Sequence, residues 1–513
     1  MEAFWGNPEL IRRLRADLRP ARMVTAATVS ILLCFLIVLM FYHPGVDPRS
    51  PADEKDVRLG LYTILLSAQA LVLCLWCLSS CSQAIASERN LKTFDFLRTT
   101  RLSSWELLLG MIFGAPSMAY FVVACTLPFT LVIGLLAGVS LLAIAVSYVM
   151  LFMIAAVLSL AALTISMMTD RPRAGEVVLL LLFIGWPAGV FSVAASGESR
   201  FPGLTAIPAV LGVLPFYHLP SSPYNSAARF AHVPFFGVQV PSLLVSIILY
   251  VSAGTWLLPM LLRNLKKDRE DIRLLSRWQA VGFTAYVNVL LFALLDLSPK
   301  YSLPSYRLEP ASASDVAAGY LALNFLILYA VGLATLTPPA RLKSWWRQSV
   351  QDVRFYWSED GPPWPWMIVS AGAALILFVL EAIVSTKFIP FSNWSIHAVA
   401  GRLAVLLVFA VRDVLFLQWC ALKGFQRPVL KGMLFLSLYY ITVLTIAGFF
   451  FRSSLAWFTP SGAFGDPDLA TPASTLVGVV LQIGVSVYLL IAIRHRLSPS
   501  TAASAPTTAI PAS

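Results

Sequence analysis

Charge is what this sequence has little of. Acidic and basic residues make up 12% of its 513 residues, about half the share usual in a soluble domain. From Leu107 to Thr169 there are 63 consecutive positions without a single Asp, Glu, Lys or Arg. One membrane crossing takes roughly 20 apolar residues, so that block alone accommodates two or more, and an ordinary water-soluble domain is excluded. Cysteine is scarce as well. The six cysteines (Cys34, Cys74, Cys77, Cys81, Cys125 and Cys420) all sit inside or at the edge of apolar runs, which argues against a disulfide framework. The sequence has no Gly-x-x-x-x-Gly-Lys-Ser/Thr phosphate loop, so it carries no recognisable ATP site of its own. A Ser-His-Asp set, a zinc-protease pattern and a paired-carboxylate pattern are missing too, and neither a catalytic residue nor a cofactor in this chain is expected.

What the sequence has is hydrophobic residue, at 58%. Apolar runs of spanning length predict helices near 23–42, 59–82, 107–136, 140–168, 176–196, 239–262, 280–298, 316–337, 364–385, 399–421, 433–451 and 474–493. The first run is too long, and residues 1–22 too charged, for a cleaved secretory signal. Twelve spans put both termini on one side. With that side cytoplasmic, the inside loops hold 26 Lys plus Arg and the outside loops 9, with Arg402 and Arg412 left inside a helix. This asymmetry is what the positive-inside rule requires. It also explains the net charge of +11 as topology, with no nucleic-acid partner. Trp278, Trp345, Trp346, Trp357, Trp364 and Trp366 crowd the same predicted boundaries, at the depth where amphipathic rings settle.

The predicted fold is therefore all-α, a polytopic transmembrane helix bundle of about twelve spans. Its organisation is an amphipathic interfacial helix over 1–22, a six-helix module over 23–265, a cytoplasmic linker over 266–279, a second six-helix module over 280–494, and a disordered tail over 495–513 rich in Ala, Ser, Thr and Pro. In the first segment Asn7 can cap a helix with Pro8 at its first position. Ile11, Leu14 and Leu18 share one face, while Arg12, Arg13, Arg15, Arg19 and Arg22 surround the rest. Such a helix lies in the headgroup region with its leucines in the acyl boundary. Between Gly197 and Pro241, the apolar piece Leu204 to Phe216 is broken by Pro208 and Pro215, and a re-entrant or interfacial helix fits it.

The loop after the second span, Ile85 to Gly110, has a distinctive pattern: Glu88 with Arg89, Thr93 five positions on, Leu97, Thr99 and Leu102, then Trp105, Glu106, Leu108, Leu109 and Gly110 leading into the next span. It resembles the signature of type-2 ATP-binding-cassette (ABC) exporter permeases. The likeness covers roughly residues 5–265. Lys92, Arg101 and Met111 stand where that family usually has Gly, Pro and Lys. The resemblance implies a membrane-spanning permease subunit in a bacterial cytoplasmic (inner) membrane, working as a homodimer or heterodimer of permeases with a separate ABC ATPase subunit that binds ATP. Coupling to that ATPase is expected from Glu88, Arg89, Thr93, Leu97, Arg98, Arg101 and Leu102, with Leu97 and Leu102 as apolar knobs and Arg98 and Arg101 pairing with acidic groups.

Arg412 and Asp413 fall midway along the tenth predicted span, where each charge costs about 2.5–3.5 kcal/mol on insertion scales. Neighbouring residues point about 100° apart on a helix, so the expectation is that each pairs with other helices or water, in a structural network or along a pathway. Cys74, Cys77 and Cys81 share one helical face, a spacing that suits a soft metal as well as the close packing of small hydrophobes; the five histidines are scattered through loops and ends, and no metal site is expected. The readings left open beside an exporter permease are an ion- or proton-coupled carrier using Arg412 and Asp413, an intramembrane enzyme, and a non-transporting scaffold. Nothing in the sequence identifies a substrate.

Overall fold

An α-helix satisfies its own backbone hydrogen bonds, which is why a chain this apolar resolves into helices. The computed structural model describes residues 6–41, 51–168, 232–236, 238–267, 272–294, 313–349, 358–384, 396–424, 428–450, 458–460 and 472–497. Among them, seven helices are long and apolar enough to cross a membrane, and the protein is an integral membrane protein of helical class. The chain divides into two units, Met1–Ile272 and Arg273–Ser513.

The first unit starts with α1 (Pro8–Asp17), α2 (Pro20–Phe41) and α3 (Pro51–Asn90). Two short helices follow, α4 (Phe94–Thr99) and α5 (Ser104–Gly114), then α6 (Ser117–Leu136) and α7 (Leu141–Met168). The strands β1 (His232–Phe235) and β2 (Val238–Pro241) pair antiparallel and lead into α8 (Ser242–Asn264). The core lies among α3, α6 and α7, where Tyr62, Leu66, Leu73, Cys74, Cys77, Leu151 and Ile154 are buried. Gly134 leaves room for the Tyr62 ring, which a Cβ there would meet at 2.9 Å. Gln69 of α3 ties the three helices together, donating to Thr126 at 2.8 Å and Thr130 at 2.7 Å and accepting from the Tyr148 hydroxyl at 2.7 Å. Most of α2 faces outward, with Leu32, Leu36 and Met40 exposed, as a lipid-facing span permits.

Several predicted boundaries are corrected here. The span expected over 59–82 belongs to a helix of 40 residues, about 60 Å long at 1.5 Å per residue, so α3 outruns the roughly 30 Å hydrocarbon core. The span expected over 107–136 is two helices, broken at Ala115 and Pro116, because Pro116 has no backbone N–H to continue the first. The predicted 1–22 helix ends at Asp17, and Pro20 already starts the first span. Residues 495–497, placed in the tail by the sequence, are the last turn of a helix. The span expected over 176–196, the apolar piece 204–216 and the rest of the tail lie outside the described residues.

The second unit contains α9 (Arg277–Leu294), α10 (Ala313–Ala334), α11 (Pro339–Ser349), α12 (Trp364–Val384), α13 (Ile396–Leu422), α14 (Pro428–Phe450) and α15 (Pro472–Leu497). Asn288 of α9 and Asn324 of α10 exchange reciprocal amide hydrogen bonds of 3.0 and 3.1 Å in a buried setting. Gly332 lets α10 approach α13, since a Cβ there would meet Val414 at 2.6 Å. The chain turns by 85° between α10 and α11. Arg277 holds this corner together: its guanidinium donates to the carbonyls of Thr335 (2.5 Å) and Gly361 and to the Thr337 hydroxyl (2.8 Å). Burial pushes the Arg277 pKa down to about 10.

Candidate functional site

The residues singled out between Glu88 and Leu102 gather where α3 runs out of the apolar core. Helix α3 ends in a Schellman turn: the Thr93 N–H donates to the Glu88 carbonyl and the Lys92 N–H to the Arg89 carbonyl, each at 3.0 Å. The position in between needs a left-handed backbone, and Lys92 takes it at φ 57°. Glycine adopts such a conformation without strain, so a lysine there is a departure from the usual choice. The turn lets the Thr93 hydroxyl donate back to the Glu88 carboxylate. Thr93 then precedes α4. Ser103 starts α5 with a capping box, its hydroxyl accepting from the Glu106 N–H at 3.2 Å while the Glu106 carboxylate accepts from the Ser103 N–H at 2.6 Å. These bonds to Ser103 lower the Glu106 pKa.

Helix α1 docks onto this assembly. Asn7 caps α1, accepting from the N–H groups of Glu9 and Leu10, and its amide donates to the Glu106 carbonyl at 2.6 Å. Glu9 is buried and accepts from Arg12 at 2.9 Å and Arg13 at 2.6 Å. Arg12 also reaches the Glu88 carboxylate at 2.5 Å, and Arg13 lies 3.5 Å from it. The bonds to Glu9 and then Glu88 raise the Arg12 pKa against the cost of desolvation. Close approach is possible because α5 has glycines at 110 and 114: a Cβ on Gly110 would meet Glu9 Cγ at 2.7 Å, and one on Gly114 would meet Arg13 Cβ at 2.9 Å. The side of α1 that docks is the one carrying Glu9 and Arg13, while Ile11, Leu14 and Leu18, the face expected in the acyl boundary, are half-buried. Leu10, Asn7 and Glu9 are buried against protein, while Arg15, Arg19 and Arg22 remain exposed.

The other expected residues separate into different roles. Arg89 donates to the Met167 carbonyl of α7 at 2.6 Å and covers the Phe94 ring. Leu97 is buried within its own chain, so it is not an exposed knob. Leu102 is half-buried, its carbonyl accepting from Lys266 at the end of α8. Arg101 is exposed, and the Arg98 side chain lies outside the described residues. The exposed apolar side chains are instead Leu91 at 72% and Phe96 at 73%. Sequence reasoning missed both, because their exposure depends on how the turn after α3 and the helix α4 are packed. It also missed the α1 clamp, although Gly110 and Gly114, four residues apart on an apolar helix, are a sequence sign of close helix approach.

In the second unit Arg412 and Asp413 are both buried; each has the partners on other helices that the sequence led one to expect, but the two also pair directly with each other, which it did not. Arg412 Nε donates to Asp413 Oδ1 at 2.8 Å, because the long Arg side chain can curl back over one residue of rise. The pair also takes partners from three other helices. Asp413 accepts from Tyr329 of α10 and from Tyr440 of α14 at 2.6 Å; Arg412 donates to Gln482 of α15 at 2.5 Å and Tyr440 at 2.7 Å. The rings of Phe409, Tyr439 and Tyr440 lie 5.1–5.7 Å from the guanidinium carbon. Every charge is compensated inside this network, and its geometry suits a staple between helices.

The cysteines do not form a ligand cluster. Cys74, Cys77 and Cys81 are buried in the packing of α3, and among the described residues no group of three or more His, Cys, Asp or Glu is placed to hold a metal. Comparison of the chain with protein-family models, with curated proteins and with solved structures finds no match.

Proposed function

We propose that this chain is the membrane-spanning permease subunit of an ATP-binding-cassette exporter, with twelve spans, both ends cytoplasmic, in a bacterial inner membrane. In this reading a separate ATPase subunit supplies ATP hydrolysis, and two permeases enclose the pathway. The observation that carries the proposal is the assembly of α1, the end of α3, α4 and α5. A turn and short helix with exposed Leu91 and Phe96 are tied through Glu88 to a helix long enough to run from beyond one membrane face into the apolar core. A push on α4 is therefore delivered to α3 as a rigid displacement, which is what a coupling element needs.

The test is to purify the tagged wild-type chain and identify any ABC ATPase that comes with it, then to assay the double substitution Leu91→Asp with Phe96→Asp in vesicles with that ATPase; a wild-type preparation that brings none counts against the reading. A docked apolar side chain cannot become a carboxylate without losing its burial, so transport-stimulated ATP turnover is expected to fall at least tenfold. Membrane insertion should be unchanged, since both positions are exposed. Normal turnover in this variant sinks the coupling role, and a wild-type chain that binds the ATPase without changing its turnover favours a scaffold.

A further inference from the structure

We propose that the end of the second unit formed by α11 and the last turn of α15 is a binding site for the phosphodiester headgroup of an anionic phospholipid. This does not rest on the exporter reading. The 85° turn after α10 lays α11 across the ends of the spans, nearly parallel to the membrane plane if α10 stands along its normal. Helix α11 fixes itself there by burying Leu342 and Trp345 against Leu415, Leu489, Ile493 and Leu497. Its opposite face carries Lys343 and Arg347, both exposed and four residues apart. Exposed Arg494 and Arg496 stand in the last turn of α15, and the Arg494 guanidinium lies 6.0 Å from the centre of the Trp346 ring.

Charge complementarity selects the occupant. Neither α11 nor α15 contains an Asp or Glu, and among the described residues the acidic side chains of the nearby loop, Glu359 and Asp360, pair with Arg273. Lys343 and Arg347 on the outward face of α11, and Arg494 beside Trp346 with Arg496 on the helix it packs against, thus place four cations on two adjoining helix ends. A spanning helix leaves the apolar layer there, at the depth of lipid phosphates and of interfacial indole rings. Basic pockets between helix ends suit such headgroups, each Lys or Arg near an anionic surface adding about fivefold in affinity. A bilayer supplies this ligand at high local concentration, whereas a soluble anion would have to compete with it.

The experiment is native mass spectrometry of the purified full-length protein titrated with phosphatidylglycerol or phosphatidylcholine. The wild type is expected to retain phosphatidylglycerol preferentially. Lys343→Gln with Arg347→Gln should reduce that preference about 25-fold, while Lys343→Arg with Arg347→Lys should keep it. Both pairs change exposed positions, and equal elution and melting behaviour verifies folding. The proposal is overturned by a wild type without preference for the anionic lipid, by an unchanged preference in the Gln variant, or by displacement with inorganic phosphate alone. It is also overturned, in favour of a protein-docking face, if the Gln variant keeps the lipid but loses a copurifying soluble protein.

Discussion

Arg12 donates to Glu88 at 2.5 Å across 76 residues of sequence, fastening the amphipathic first helix to the end of the second span. The Glu88 side chain is 12% exposed and also accepts from Thr93, so its removal leaves several donors without their acceptor. Glu88→Ala is expected to weaken α1 docking by about 1.5–3 kcal/mol, the range for hydrogen bonds to charged groups. Limited proteolysis within α1 should speed up accordingly, with the spans still protected; unchanged cleavage would show that α1 is held by apolar contacts alone.

Lys92 occupies a left-handed position at φ 57°, which costs a side-chain-bearing residue about 1–2 kcal/mol relative to Gly. Lys92→Gly should therefore tighten the turn between α3 and α4. The expected result is slower amide exchange at Thr93, whose N–H closes the turn. Faster exchange would mean that the loss of the lysine side chain outweighs the relieved backbone.

Arg412 and Asp413 form a buried pair, for which loss of one member typically costs 3–5 kcal/mol and loss of both much less. Arg412→Leu and Asp413→Leu should each lower folded yield in membranes, and the double substitution should recover a large part of it. If the double variant is as poor as the worse single one, the tyrosine and glutamine partners, not the charges, hold the four helices.

Asp17 ends α1, close to the helix's negative pole, and burial raises its pKa above the ordinary 3.8. A raised folded pKa means that the favourable contribution is fully present below the unfolded value and is lost as pH rises through the folded one. Docking of α1 should thus be stronger in mild acid than at neutral pH. Asp17→Asn should stabilise it at pH 7 by about 0.3–1 kcal/mol, the usual worth of a charge at a helix end, and flatten the pH dependence. Melting curves in detergent at both pH values measure this, and an equal shift at both would rule out titration as the cause.

The sequence by itself determined the solvent and the class. Sixty-three positions without charge leave a membrane as the only medium that fits, and a membrane leaves helices as the economical way to satisfy the backbone. It also marked Arg412 and Asp413 as residues needing an explanation, because a charge inside an apolar run must find a partner, and it marked Glu88 and Thr93 by the pattern of their loop. Their partners were decided by tertiary structure. Leu91, Phe96 and Leu97 are all apolar, yet the packing of α4 sets Leu97 inward and Phe96 outward, and the turn that ends α3 leaves Leu91 exposed. Helix α1 has the composition of a lipid-surface helix, and two glycines on α5 open the close approach that takes Glu9 and Arg13 on its other side. Periodicity reports which side of a helix is apolar; whether that side meets lipid or protein depends on the shape of a neighbour far away in the chain.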